Sequence, residues 1–148
     1  MKSNIRPMQE QDRDKILEMM RVFYSSEAVF TNGSEEIFNA DITNCVNDNP
    51  YIEGYVFEHG NVIQGYAMLA KSFSTEFGRP CIWIEDIYLL EEYRGSGIAR
   101  AFFDFVEEKY PHSILRLEVE AENKRALRFY RKCGYDTLPY MEMKKEIE

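Results

Sequence analysis

The sequence predicts an α+β fold: a mixed, mostly antiparallel sheet with one parallel strand pair, flanked by helices. Two observations carry this prediction. Two apolar segments meet at a tight turn and so form a hairpin, and later apolar strands alternate with segments of helical periodicity. A helix from Ile98 to Tyr110 joins two of these strands, which makes that pair parallel. We expect the 148 residues to form a single domain over 1–148.

The first third of the chain predicts one short strand and two helices. The letters NIRPM favour an opening strand. The segment from Asp12 to Tyr24 places Ile16, Met20 and Phe23 at helical spacing. A second helix is expected around Ile37 to Val46, before the turn-forming letters NDNP.

The middle of the chain predicts three strands. The letters YVFEHGNVIQGYAMLA read as two strands around a glycine–asparagine turn. The letters SFSTEFGRP, residues 72–80, are polar and rich in turn formers, so we expect a loop there. The next strand runs from Cys81 to Leu89.

The last third predicts a helix, a strand, a second helix and a final strand. Pro111 ends the first helix, and Asn123 is a suitable N-cap for the second, which ends at Lys132 before Gly134. The residues expected to face inward are Ile98, Phe102, Phe105 and Val106 on the helix and Leu115, Leu117 and Val119 on the strand ILRLEVE. The letters YMEMKKEIE, residues 140–148, predict a last, partly polar strand.

Composition and charge exclude several classes of protein. The formal net charge is −8 and the pI is about 4.9, whereas a nucleic-acid binder needs a basic surface to neutralise phosphates. No apolar run reaches the ~20 residues of a membrane span, and the first residues lack the apolar core of a secretory signal. We therefore expect neither a nucleic-acid partner nor a membrane partner.

Cysteine and histidine usage argues against disulfides and bound metal. Cys45, Cys81 and Cys133 are far apart and form no CxxC pair, and the two histidines add no metal-ligand spacing. This usage is typical of a cytoplasmic protein.

The charge is distributed unevenly along the chain. From Arg94 to Lys132 there are nine Lys/Arg and six Asp/Glu residues, a net charge of +3, so the rest of the chain carries −11. One segment therefore suits an anion, and the remainder attracts cations.

Two glycines and a serine stand where the strand ending at Leu89 gives way to the helix beginning at Ile98. Glycine there costs helix stability, but it lets an anion approach the free N–H groups of a helix N-terminus. The letters RGSGIA, Arg94 to Ala99, therefore predict a phosphate-binding loop, the alternative being a turn that merely joins two elements. It lacks the lysine of a P-loop, and Arg100 stands where a Rossmann turn requires a small residue.

This loop and a second segment resemble the GNAT superfamily of acyl-CoA N-acyltransferases. RGSGIA fits the family signature R/Q-x-x-G-x-G/A, and NKRALRFYRKCGY, residues 123–135, fits N-x-x-A-x-x-[FL]-Y-x-x-x-G-[FY]. NIRPM and GYAML are similar to the family's opening strand and central hairpin strand. The resemblance covers nearly the whole chain and is weakest from Ser25 to Pro50. It implies a GNAT-like fold with a splayed parallel strand pair, and transfer of an acetyl group from acetyl-CoA to a primary amine by direct attack.

The resemblance also implies which residues hold coenzyme A. In the family this loop wraps the pyrophosphate, and the strand before it splays from its neighbour so that free backbone groups bind the pantetheine arm. Asn123 aligns with an asparagine that hydrogen-bonds the pantetheine region, and it also suits a helix cap. The loop residues are Arg94, Gly95, Ser96, Gly97, Ile98 and Ala99, and the strand residues are Ile87, Tyr88 and Leu89.

Tyr130 aligns with the tyrosine that protonates the leaving thiolate in many family members. A phenol with a pKa near 10 is a suitable donor to a thiolate of similar basicity. The alternative is a packed side chain, because Tyr130 shares an inward helical stripe with Ala126 and Leu127.

Glu85 and Asp86 stand within an apolar strand, where carboxylates are rare unless they are paired or functional. A partly desolvated glutamate can accept a proton from a substrate ammonium, directly or through water. The letters IEDIYLL also resemble the corresponding strand of the polyamine-acetylating branch, whose glutamate has this role. We favour Glu85 as the base; Asp86 or water is the alternative, and either carboxylate could instead pair with an arginine. Alternation places Glu85 with Trp83 and Ile87, and Asp86 with Ile84 and Tyr88.

Three functions stay open on sequence alone: an N-acetyltransferase acting on a small, cationic amine, a non-catalytic acyl-CoA sensor of the same fold, and an interaction domain without coenzyme A. The presence of Tyr130 and Glu85 favours the enzyme. The segments expected to line the acceptor site, Ser25 to Pro50 and Lys71 to Pro80, match nothing that identifies the amine. A homodimer is expected only by analogy with the family.

Overall fold

Residues 3–29 and 31–148 are described by a computed structural model. The strands are β1 (Asn4–Pro7), β2 (Ile52–His59), β3 (Val62–Ser74), β4 (Arg79–Leu89) and β5 (Ile114–Leu117), and the helices are α1 (Arg13–Tyr24), α2 (Glu35–Val46), α3 (Ile98–Lys109) and α4 (Lys124–Lys132). The five strands form one sheet in sequence order. All neighbours pair antiparallel except β4 and β5, which pair parallel across α3. The predicted α+β fold is confirmed.

Each face of the sheet carries a helical layer. Helices α1 and α2 cover one face, which we call the α1/α2 face, and Ile16 and Ile42 are fully buried there. Helices α3 and α4 cover the other, the α3/α4 face, where Phe102 and Val106 are fully buried. Burying one such apolar side chain stabilises the fold by ~1.5–3 kcal/mol relative to leaving it exposed to water. Among the residues that the structure describes, no helix combines the length and the apolarity that crossing a bilayer requires.

The predicted helices are confirmed with small shifts. α2 begins at Glu35, because the Ser34 hydroxyl caps it by accepting a hydrogen bond from the Ile37 N–H at 3.2 Å. On α3 the predicted inward residues Ile98, Phe102 and Val106 are buried. Phe103 is buried as well, whereas Phe105 is only partly buried against the same core.

A β-bulge in β4 lies at the position of greatest functional interest. Met68 pairs with Asp86, but the next residue of β3, Leu69, pairs with Ile84, so Glu85 is the extra residue of β4. A bulge re-aims the side chains that follow it.

Because of the bulge, the side chains of β4 do not alternate between the two faces of the sheet as predicted. Ile84 and Ile87 both belong to the core on the α3/α4 face, although they are three residues apart. Asp86 and Tyr88 instead face α1 and α2. Glu85 therefore does not share a face with Ile87, nor Asp86 with Ile84.

Strands β4 and β5 diverge after a short parallel ladder. Their last pair is Ile84 with Leu117, yet β4 continues to Leu89. Among the described residues no strand pairs with this edge of residues 85–89. We call the space between the two strands the β4/β5 gap, and it matches the splayed pair that the family resemblance implied.

The loop predicted over residues 72–80 is wrong. β3 runs to Ser74 and β4 starts at Arg79, so only residues 75–78 connect the strands. Ser72 pairs with Cys81 and Phe73 with Pro80. Polar side chains do not end a hairpin when the backbone can still pair across it.

The last strand predicted over residues 140–148 is also wrong. The sheet ends at β5, and residues 136–148 form no helix or strand. Met141, Met143 and Ile147, the apolar half of the alternation, are about nine-tenths exposed. β5 is itself shorter than predicted and ends before Val119. A strand needs a partner with which its backbone pairs, and no strand of the described chain pairs with this segment.

Candidate active site

The glycine loop ends in an open helix N-terminus. Gly95 and Gly97 have φ angles of 75° and 88°, which L side chains rarely adopt. The first hydrogen bond of α3 runs from the Ala101 N–H to the Gly97 carbonyl at 3.0 Å, and no side chain caps the helix. A Cβ at either glycine would meet no atom within 4 Å. The loop therefore offers free N–H donors, a positive helix end and empty space, which together fit a phosphate group.

Two loop side chains are already engaged within the protein. Arg94 Nε donates to the Leu89 carbonyl at 3.0 Å, and its guanidinium lies 5.4 Å from the centre of the Tyr88 ring. The Ser96 hydroxyl donates to the Tyr93 carbonyl. The Ser96 proton is thus not available to an anion in this arrangement, and backbone N–H groups are the donors that remain.

Only some of the backbone groups of β4 point into the β4/β5 gap. The Leu90 N–H donates to the Gln64 carbonyl of the β3 side at 2.9 Å. Because antiparallel pairing alternates the direction of the backbone groups, Tyr88 also faces β3, whereas Ile87 and Leu89 face the gap. Of the three residues expected to bind pantetheine, Tyr88 is therefore wrongly placed. The Leu89 carbonyl, which also faces the gap, is occupied because it accepts from Arg94. The N–H groups of Ile87 and Leu89 therefore are the donors that β4 directs into the gap.

Tyr130 lies on α4 within an aromatic group on the α3/α4 face. Its ring is 6.2 Å from that of Phe103 and 6.0 Å from that of Tyr135. Burial, with a smaller effect of Cys133, raises the pKa of the Tyr130 phenol. Its hydroxyl makes no hydrogen bond to any described residue and is not among the fully buried, unsatisfied atoms. The group is therefore a protonated donor without an internal acceptor.

Asn123 performs the capping role that its position predicted. Its Oδ1 accepts from the Ala126 N–H at 3.2 Å. The amide Nδ2 makes no hydrogen bond to a described residue, so a role toward pantetheine remains a prediction that would use this atom.

Glu85, the favoured base, is exposed on the bulge and faces other carboxylates. Partial burial, with smaller effects of Asp86 and Glu142, raises the pKa of Glu85. Glu118, at the end of β5, lies beside Glu142 of the C-terminal segment, and a shared hydrogen bond raises the pKa of Glu118. No arginine or lysine pairs with Glu85 among the described residues. These carboxylates make the gap negative on the α1/α2 face.

Asp86 is a buried carboxylate held by two tyrosines. It is 4% exposed, and it accepts from the Tyr24 hydroxyl at 2.8 Å and from the Tyr66 hydroxyl at 2.7 Å. Burial raises the pKa of Asp86 to about 6, although both tyrosine hydrogen bonds act in the opposite direction. Asp41 of α2 is half-buried nearby, and burial together with Glu85 raises its pKa to about 6.

Sequence reasoning missed Tyr24, Tyr66 and Asp41. Each occupies an inward position of a helix or strand and so looked like an ordinary packed residue. The signal that could have directed attention to Tyr24 and Tyr66 was the need of a buried Asp86 for hydrogen-bond donors. Asp41 is not a donor to Asp86, and this signal does not extend to it.

Asp86 gives the protein an unusual dependence of stability on pH. The folded protein binds this proton more tightly than the unfolded chain, whose pKa is near the ordinary 3.8. The carboxylate therefore destabilises the fold above pH 6, and this effect is relieved as the pH falls toward 4. Between pH 7 and pH 5 the free energy of unfolding should gain roughly 1 kcal/mol from this group.

Urea unfolding at pH 7 and pH 5 measures this contribution. Asp86→Asn should remove it, and Asp104→Asn, an exposed change on α3, should retain it. Equal pH dependence in both variants would contradict the prediction.

The site thus has two sides that meet at the β4/β5 gap. The glycine loop leads into α3, and Tyr130 lies on α4, so both belong to the α3/α4 side. Glu85, Asp86 and Asp41 belong to the α1/α2 side. Among the described residues, no group of three His, Cys, Asp or Glu side chains could hold a metal ion.

An open helix end beside a strand that leaves its parallel neighbour is the arrangement of an acyl-CoA-dependent acyltransferase. Residues 14–135 match the acetyltransferase (GNAT) family, and the chain belongs to that family of acetyl-CoA-dependent N-acetyltransferases.

Two curated relatives extend this assignment. The chain is 30% identical over 153 residues to the thialysine N-epsilon-acetyltransferase of Mus musculus, covering 95% of this chain and 88% of the relative. It is 33% identical over 151 residues to the corresponding enzyme of Bos taurus, covering 93% and 86%.

Solved structures share the fold at low identity. A possible acetyltransferase from Clostridium difficile 630 has a TM-score of 0.81 and 19% identity, with 100% of this chain and 99% of that chain covered. AAC(6')-Iy in complex with the bisubstrate analog CoA-S-monomethyl-acetylneamine has a TM-score of 0.78 and 14% identity, with 99% of each chain covered.

Proposed function

We propose that the protein transfers the acetyl group of acetyl-CoA to a primary amine of a small, cationic acceptor by direct attack. The observation that carries the proposal is the β4/β5 gap, because it joins the glycine loop and Tyr130 on one side to the carboxylates on the other. The activities for which similar proteins are named support an amine acceptor: two are thialysine N-epsilon-acetyltransferases, and one solved structure is an aminoglycoside N-acetyltransferase in complex with CoA.

The residues around the gap have separate roles in this proposal. Backbone N–H groups from Gly95 to Ala99 bind the pyrophosphate, and those of Ile87 and Leu89 bind along the pantetheine arm and its thioester. Glu85 accepts a proton from the substrate ammonium. The neutral nitrogen then forms a bond to the acyl carbon, the carbon–sulfur bond breaks, and the thiolate takes a proton from Tyr130. The surplus proton that the nitrogen carries after the attack is lost through water and restores the Tyr130 phenol.

The charge around the gap supports a cationic acceptor. The whole chain carries −8, and Asp41, Glu85, Asp86, Glu118 and Glu142 lie together on the α1/α2 side. Coenzyme A is an anion and gains nothing from these groups, whereas an amine is concentrated by their field.

We expect cadaverine to be acetylated with a higher kcat/KM than aminopentanol, which has one charge fewer, and than glutamate, which is anionic. The preference should shrink as salt rises, because the Debye length falls from ~10 Å at 0.1 M to ~3 Å at 1 M. Steady-state rates at both salt concentrations measure this. A glutamate preference, or a preference that salt does not change, would contradict the electrostatic argument.

Glu85→Gln should lower turnover most at low pH, where few acceptor amines are already neutral. Glu108→Gln, an exposed change on α3, is the matched control and should leave the pH profile of kcat/KM as it is in the wild type. If Glu85→Gln keeps the wild-type profile, Asp86 or water becomes the base. Tight CoA binding with no turnover of any amine would favour the acyl-CoA sensor instead.

The homodimer is a further part of the proposal and rests on family analogy alone. Sedimentation equilibrium distinguishes a dimer from the 17.5 kDa chain.

A further inference from the structure

Arg116 stands apart from the other arginines near the sheet. It lies on β5 opposite Trp83 in the parallel ladder, and its guanidinium is 4.6 Å from the centre of the Trp83 ring. Arg6, Arg13 and Arg21 each form an ion pair with a carboxylate. Arg116 forms neither a hydrogen bond nor an ion pair with any described residue. Stacking on an indole fixes a guanidinium and leaves its N–H edges free for an anion.

The free edge of Arg116 lines a cavity. This cavity has a volume of about 290 Å³. The hydroxyl groups of Ser74 and Thr75 lie in the same lining and offer further donors, whereas the Ser72 hydroxyl donates to the Cys81 carbonyl at 3.4 Å. The one carboxylate there, Glu76, accepts from the Tyr140 hydroxyl. A positive group surrounded by hydroxyls suits a carboxylate, which pairs with arginine through two parallel hydrogen bonds.

The cavity lies next to the proposed amine site and on the same face of the sheet. Trp83 precedes Glu85 on β4 by two residues, which corresponds to roughly 7 Å of strand. Arg116 of β5 likewise precedes Glu118, the residue that follows the strand, by two residues. One positive group and several negative groups therefore follow each other along the α1/α2 face. The glycine loop leads into α3 on the opposite face, so this arginine is separate from the phosphate site.

We propose that Arg116 binds a carboxylate of the acceptor, so that the acceptor is an amino acid with an amine at the end of its side chain. The inference rests on the proposed function, since it assumes that the amine is acetylated beside Glu85. The carboxylate lies against Arg116 and the ammonium lies among Glu85 and its neighbours. A zwitterionic end at Arg116 and a cationic end at Glu85 together match the order of charges on this face.

Lysine and cadaverine test the proposal, because cadaverine is lysine without its carboxylate. Arg116→Gln should lower kcat/KM for lysine roughly tenfold or more, as expected for a lost charge-assisted hydrogen bond, mainly through KM. It should leave kcat/KM for cadaverine unchanged. Arg116→Lys should restore part of the loss for lysine. Arg79→Gln, an exposed arginine at the start of β4, is the matched control and should change neither substrate.

The outcomes separate this inference from the proposed function. If Arg116→Gln changes kcat/KM for lysine and for cadaverine by the same factor, Arg116 does not bind the carboxylate and the inference is wrong. If wild-type protein acetylates no amine, the proposed function is wrong. Calorimetry then measures the affinities of lysine and cadaverine for CoA-loaded wild type and for CoA-loaded Arg116→Gln. If the ratio of the two affinities is the same in both proteins, Arg116 does not bind the carboxylate and the inference is wrong.

Discussion

Replacing Tyr130 with phenylalanine is expected to lower turnover by roughly 10²–10⁴-fold, the range for loss of a general acid. The ring keeps its contacts with Phe103 and Tyr135, so the fold should persist. Only the hydroxyl is lost, and no described residue depends on it for a hydrogen bond. Affinity for CoA should change little, because a proton donor acts when the thiolate leaves and not when the cofactor binds.

Tyr135→Phe is the matched control for this experiment. Tyr135 belongs to the same aromatic group, and its hydroxyl is buried without a hydrogen-bond partner among the described residues. Removing an unsatisfied buried hydroxyl should be neutral or slightly stabilising. Single-turnover rates, in which product release does not limit, give the comparison. Equal rates for Tyr130→Phe and wild type would reduce Tyr130 to a packing residue.

The features that the sequence predicted well are those that depend on neighbouring residues. Gly97 adopts a positive φ because only glycine does so readily, and Asn123 caps α4 because its side chain reaches the third residue onward. Both sit in motifs of a few residues, so both the loop and the cap were predictable from the sequence. The position of α3, which connects the parallel strands β4 and β5, likewise follows from the order of the elements along the chain.

The features that the sequence did not predict depend on residues far apart in the chain. The bulge at Glu85 exists only through the register between β3 and β4, and it decides which carboxylate is buried. Tyr24 meets Asp86 across 62 positions. The apolar alternation of residues 140–148 is a local pattern, but a strand requires a partner, and β5 has none on that side in the described chain.

The second large effect is expected at Gly97. Gly97→Val should sharply weaken CoA binding, by roughly 10–100-fold or more if one or two charge-assisted hydrogen bonds to the pyrophosphate are lost. The protein itself leaves room for the new side chain, since a Cβ there meets no atom within 4 Å. The space that valine fills is therefore the space that we assign to the phosphate.

Valine at Gly97 also has a conformational cost that must be separated from the loss of binding. A φ of 88° is strained for any L residue and most of all for a β-branched one, at ~1–2 kcal/mol or more. Gly60, in the turn between β2 and β3, has a φ of 54° and the same open surroundings. Gly60→Val should therefore lose similar stability in urea unfolding, yet bind CoA as the wild type does in calorimetry. If both variants bind CoA equally well, the glycine loop is only a connection between β4 and α3. If only Gly97→Val loses affinity, the loss arises from the collision with bound cofactor, because backbone strain is common to both.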